Sequence, residues 1–205
     1  MRLNTRVRCL EFPCGDVDHS RYRVPAVDLD PERIRIVLIS EGAAADPTDD
    51  YQAPGDPLFL RTTLEAFGDA GVTASSLAGL HRLGIYVTSA VKCAKTRPGI
   101  AAATITECSQ LLEAELAQFT GARAYLLMGD VAIKAINAIA RRAGEPRPIP
   151  AGSTYRIRDG ELHWRNTRLF PSYLQAGPAF YIEASKRRMI AEDIRAALAV
   201  AGMAG

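Results

Sequence analysis

The sequence predicts an α/β domain: a three-layer sandwich with a largely parallel central sheet and helices on both faces. Three observations carry this. The short apolar runs IRIVLIS (34–40), IYVTSAV (85–91) and AYLLMG (124–129) read as buried strands. Segments of helical spacing separate them, and strands that alternate with helices are the pattern of a parallel sheet. A chain of 205 residues also fits one domain, large enough to bury a core without disulfides.

The elements follow in order. Residues 1–33 hold two of the four cysteines, three prolines and no clear period, so they are expected as an irregular arm lying on the domain. The strand at 34–40 runs into a loop rich in breakers, EGAAADPTDDYQAPGDP (41–57). Leu58 to Ala70 has helical spacing through Leu60, Leu64 and Phe67 and is closed by Gly71. Ser75 to Arg82 predicts a second short helix, and 85–91 the second strand. Thr104 and Glu107, three residues apart, predict a capping box in which each side chain satisfies a free backbone donor, and so open a third helix. Cys108, Leu111, Leu112, Leu116 and Phe119 share its apolar face. The strand at 124–129 leads into a helix capped by Asp130 and ending near Arg142. Residues 143–153, with three prolines and two glycines, predict a loop or lid. TYRIR, ELHW and TRLF then predict short strands, and Ile182 to Ala201 a terminal helix with Ile190, Ile194, Ala197, Leu198 and Ala201 on one face. No repeat or long linker divides the chain, so 1–205 is expected to be a single domain.

Charge narrows the function less. The net charge of +2 lacks the strong basic excess of many nucleic-acid-binding domains. Its distribution says more: the four lysines at 92, 95, 134 and 186 leave 21 arginines among 25 basic residues. Arg2, Arg6, Arg8, Arg21, Arg23, Arg33 and Arg35 crowd the first 35 positions, and Lys186, Arg187 and Arg188 lie near the end. The planar fork of arginine suits phosphate, although solvated charge alone also accounts for such a bias. The first residues lack a secretory signal, and no apolar run approaches the roughly 20 residues of a membrane span. A soluble cytoplasmic protein, expected to be a monomer, is the reading. In a reducing compartment cysteines serve as metal ligands, reactive thiols or buried apolar groups more than as staples.

Cys9 and Cys14 form C-x4-C in the arm, Cys93 follows the second strand, and Cys108 is expected in the first turn of the third helix. A helix N-terminus and the nearby Lys92 and Lys95 would favour a thiolate there. Four thiolates would make a full ligand set for zinc or for a cubane iron-sulfur cluster. Simple burial of Cys93 and Cys108 is the competing account.

The stretches YVTSAVKC, CSQLLEAEL and YLLMGDVA, in this order and spacing, resemble the iron-sulfur (family 4-like) uracil-DNA glycosylases of bacteria and archaea. The resemblance extends to ISEGAAADP, GDPLF and FPSYL, and so runs from about Arg8 to Ala201. It implies a uracil-DNA glycosylase-like fold, a 4Fe-4S cluster held by Cys9, Cys14, Cys93 and Cys108, and base-excision repair of DNA that is single-stranded or has a flipped base. Zinc is the alternative metal.

An enzyme of this kind must hold a flipped nucleotide, read its base, position a water and stabilise the departing base. The resemblance gives Glu41 the carboxylate that places or activates the water, with Asp46, Asp49 and Asp50 nearby as candidates or as turn formers. Phe59 matches the aromatic that stacks the base, with Tyr51 as competitor. Ser89 stands where the family has an asparagine that reads the base edge, and Phe170 where it has a histidine that donates to the leaving base. Loss of one such donor costs on the order of a hundred- to a thousandfold in rate, so weak or altered activity on uracil is expected. His163 and Trp164 are possible substitutes for the missing donor and stacker. Lys92, Lys95, Arg97 and Ser172 are the expected DNA contacts. Two other functions stay open: a non-catalytic DNA-binding or scaffold protein of the same fold, and a zinc-stabilised α/β protein with no nucleic-acid role.

Overall fold

The computed structural model of the chain describes residues 7–25 and 28–203. Its elements run β1 (Val17–Asp18), β2 (Ile36–Ala43), α1 (Leu58–Asp69), α2 (Leu77–Arg82), β3 (Ile85–Lys95), α3 (Ala102–Leu116) and β4 (Ala124–Met128). They continue through α4 (Asp130–Arg142), α5 (Thr154–Ile157), β5 (Leu162–Trp164), β6 (Thr167–Ser172), α6 (Ala179–Ile182) and α7 (Ala184–Val200). The strands form one sheet in the order β1-β3-β2-β4-β6-β5. The four inner strands are parallel, while β1 and β5 close the edges antiparallel. The expected three-layer α/β fold is observed.

Central parallel strands lie between two helix layers, which is why Ile36, Val37, Leu38 and Ile39 are all 0% exposed and the run is apolar without alternation. Val37 and Ile39 pack with Leu112 of α3 and Ile136 of α4 on one face. Ile36 and Leu38 pack with Phe67 of α1 and Ile194 of α7 on the other. β2, the first parallel strand, has β3 on one side and β4 on the other, so the chain reverses its progress across the sheet at β2. Such a switch point opens a crevice beyond the carboxyl ends of the strands, the usual ligand position in this architecture.

Three local expectations are corrected. TYRIR begins the short helix α5 and contributes no strand. The capping box does not form: α3 starts at Ala102 with no side-chain cap of its own. Asp16 of the arm closes it instead, its Oδ2 accepting from the Ala101 amide at 2.6 Å and its Oδ1 from the Thr104 hydroxyl. Cys108 is consequently the seventh residue of α3 and not in its first turn, so the favourable end of the helix lies too far away to lower its pKa. No helix among the described residues is long and apolar enough to cross a membrane.

Candidate functional site

Glu41 lies near the carboxyl end of β2, in the crevice at the switch point. One carboxylate oxygen, Oε2, pairs with Lys95 at the end of β3. The other faces Gly129, which joins β4 to α4. A Cβ added at Gly129 would meet Glu41 Oε1 at 2.6 Å, and the residue holds φ at +93°, so only glycine admits both the carboxylate and the turn. The anion thus sits at the N-terminus of a 13-residue helix, where the unpaired amides favour negative charge. With side-chain exposures of 16% for Glu41 and 19% for Lys95, the pair still reaches solvent. A carboxylate held in this way can accept a hydrogen bond from a water and stabilise positive charge developing beside it.

Ser40 pairs in register with Ser89, and alternation puts both on the sheet face of Leu38 and Val87, towards α1. Phe59, in the first turn of α1, meets Tyr51 edge-on with ring centroids 5.6 Å apart. The loop after β6 closes this side: Gln175 Nε2 donates to Tyr51 Oη at 2.8 Å and to Thr63 Oγ1 at 3.1 Å. The Gly177 amide donates to Thr62 Oγ1 at 3.4 Å. Burial raises the pKa of Tyr51 and keeps it a neutral phenol. The expected aromatic residues therefore lie together on one wall, and Gln175 is a polar group that motif matching missed. Its signal was present as a glutamine just after FPSYL, where a turn residue attracts no notice.

The expected base reader and leaving-group position do not supply what the reaction needs. Ser89 donates its hydroxyl to the Val91 carbonyl at 3.0 Å, a local bond. Phe170 is 5% exposed and lies within β6 opposite Leu126, inside the core on the α1 and α7 face. It contributes packing and no donor.

The expected DNA contacts fare unevenly. Lys92 is corrected outright: its ammonium is fully buried and binds Glu115 at 2.5 Å, the Ser89 carbonyl at 2.6 Å and Thr88 Oγ1 at 2.9 Å. Ser172 is corrected too, because it is 0% exposed and gives its hydroxyl to Asp193 at 2.5 Å. Lys95 is engaged by Glu41, and Arg97 alone of the four is exposed. Arg21 and Arg23 of the arm stand over the loop after β2, lining a cavity of about 320 Å³ with Pro47, Thr48 and Gln52. Of the loop aspartates, Asp46 accepts from the Thr48 amide at 2.9 Å and Asp50 from the Ala44 amide at 3.3 Å, so both form turns. His163 is exposed on the edge strand β5, and Trp164 is buried with its indole N–H on Glu145 at 2.5 Å. That edge lies two strands from β4, so neither replaces a group beside Glu41.

The four cysteines are free thiols, with Cys14, Cys93 and Cys108 buried and Cys9 partly so. Burial, reinforced by the neighbouring thiols, pushes Cys93 up to about 12 and Cys108 up to about 11. Cys14 is raised by burial and by Cys9. The ionisation of Cys14, Cys93 and Cys108 is opposed by others of the set, Cys9 among them, which brings the four sulfurs within electrostatic reach of one another. By kind, the donors suit iron-sulfur ligation, which uses thiolates. With the side chains as they stand, no group of three or more His, Cys, Asp or Glu among the described residues could hold a metal ion.

A family model described as the uracil DNA glycosylase superfamily matches residues 28–194. No curated protein matches the chain.

Proposed function

The chain belongs to the uracil DNA glycosylase superfamily, and from that premise we propose that it acts on DNA in base excision, with weak or altered activity on uracil. The observation that carries this is Glu41, held at the switch-point crevice by Lys95 and by Gly129 of the α4 N-terminus. In the reaction a water oxygen bonds to the sugar C1′ and the C1′–N bond breaks. The electron pair of that bond leaves with the base, and the proton given up by the attacking water balances the one that the base takes up. Glu41 Oε1 orients the water and offsets positive charge on the sugar. Ser89 and Phe170 offer neither an amide to read uracil nor a donor for the leaving base, which supports a slow or redirected reaction. Arg21, Arg23 and Arg97 would offer cations to phosphates in this reading.

Cys9, Cys14, Cys93 and Cys108 would hold a 4Fe-4S cluster, which when bound would keep all four as thiolates and fasten the arm to β3 and α3. Anaerobically purified protein should then contain about four irons per chain. Stoichiometric zinc without iron would overturn the cluster.

The test of the reaction is excision from single-stranded oligonucleotides carrying one lesion each, with Glu41→Gln as control. Activity on at least one base that is lost in Glu41→Gln supports the proposal. Activity that survives Glu41→Gln removes Glu41 from its role. A second reading, a non-catalytic DNA-binding protein, is favoured by the core position of Phe170 and predicts salt-sensitive DNA binding with no excision across the panel.

A further inference from the structure

Two buried polar atoms beside the aromatic wall lack partners. Gln175 is 0% exposed and Ser40 1%. Gln175 Oε1 and Ser40 Oγ make no hydrogen bond. Turning the Gln175 amide over would exchange its ends and leave the nitrogen without a partner, so one polar end stays open either way. Both residues meet at the Tyr51 phenol: Gln175 is bonded to it, and the Ser40 hydroxyl stands close enough to influence its titration without making a well-formed bond. A buried polar group without a partner costs stability, and two around one ring call for a ligand or water to complete them.

We propose that Gln175 and Ser40, and not Ser89, read the edge of a lactam-bearing base, one that presents a ring C=O next to a ring N–H. This rests on the proposed base-excising reading and deepens it. An amide end and a hydroxyl can together accept from the N–H and donate to the C=O. The serine hydroxyl supplies whichever role the amide end does not. Ser89 cannot compete, because its hydroxyl is already given to Val91. Tyr51 and Phe59, both partly exposed, form the wall against which the ring would lie, and Tyr51 must swing from Gln175 to admit it. Gly177, at φ +103°, makes the turn beside the Phe59 ring in a conformation that favours glycine.

The experiment compares two single-stranded oligonucleotides by fluorescence anisotropy. One carries a single 2′-fluoro-2′-deoxyuridine, whose glycosidic bond resists hydrolysis. The other carries a tetrahydrofuran abasic analogue at the same position. Wild-type protein should prefer the first by about tenfold or more, since a site built to bond a base edge is left unsatisfied without it. Ser40→Ala should cut that preference several-fold and Gln175→Leu should abolish it. Neither should change affinity for the abasic strand, which comes from phosphate contacts. Gln175→Leu also removes the tie to Thr63 and Tyr51, so its melting temperature is measured alongside. Ser40→Ala removes only an unpartnered hydroxyl and keeps the test decisive if the glutamine variant unfolds. Equal binding of both strands by the wild type, or an undiminished preference in Ser40→Ala, overturns the inference while the DNA reading stands. Binding of neither strand at low salt overturns the proposed function itself, and the inference with it.

Discussion

Two clusters of buried polar side chains lie on opposite faces of the same pair of strands, and they differ in one respect. Between β3 and α3, Glu115 accepts from the Tyr86 hydroxyl at 2.6 Å, from Thr88 at 3.0 Å and from Lys92 at 2.5 Å. The three donors of Lys92 are all placed, on Glu115, Thr88 and the Ser89 carbonyl. Between β2, α1 and the loop after β6, Ser40 and one end of Gln175 are left open. A satisfied network holds elements in register and has no capacity for a ligand. An unsatisfied one costs stability and keeps that capacity. The difference separates a polar cluster that builds the fold from one available to a substrate, although both are equally hidden from water.

Breaking the satisfied cluster should give the largest effect. Glu115→Leu leaves the Lys92 ammonium buried without its counter-ion and should cost about 3–5 kcal/mol, read from urea unfolding. The double change with Lys92→Met should recover much of that loss, because no unpaired charge remains.

Asp193 is an intermediate case, buried and partnered by Ser172 and by Arg158 at 2.8 Å, yet pushed by burial up to about 6. The folded state therefore binds this proton more tightly than the unfolded chain, whose aspartate keeps its ordinary value near 4. Its contribution is fully present below about pH 4 and is lost as pH rises through about 6, a swing of roughly 3 kcal/mol. The difference in unfolding free energy between wild type and Asp193→Asn, followed from pH 4 to 7, should show this slope. A flat difference would mean that the carboxyl is not desolvated.

Smaller is the loss from Asp16→Ala, about 1 kcal/mol, because it uncaps α3. It should also raise the protease sensitivity of the arm before that of the domain. Ser40→Ala should be the mildest, from neutral to about 1 kcal/mol more stable, since it deletes a cost and no bond. A clear destabilisation in Ser40→Ala would dissolve the contrast between the two clusters.

What the sequence showed and what it hid follow from the range of each interaction. The three apolar strands were legible because burial on both faces leaves an unbroken hydrophobic run, although β3 extends to Lys95 beyond its apolar stretch and so contains Cys93. The place of Glu41 just after the apolar part of its strand was legible, and the structure adds its contacts with Lys95 and Gly129 from two other elements. Lys92 was misread because a lysine next to a loop looks solvated. Its partner Glu115 lies 23 residues away, and nothing local announces the pair. The α3 cap was misread for a similar reason. Thr104 and Glu107 have capping-box spacing, but Asp16, from 85 residues before Ala101, occupies the position. Gln175 was overlooked because its unsatisfied end is a property of its surroundings alone.

The Asp16 cap also bears on the order of events as the chain is made. The arm leaves the ribosome first, while the helix it closes is complete only after about a hundred more residues. At roughly 5–20 residues per second, even the 85 residues from Asp16 to Ala101 represent about 4–17 s of synthesis. During that interval Cys9 and Cys14 have neither β3 nor α3 to lie against, and they are open to oxidants and to one another. Closure of α3 by the arm is consequently a late event in biosynthesis, and two thiols wait for the surface that will bury them.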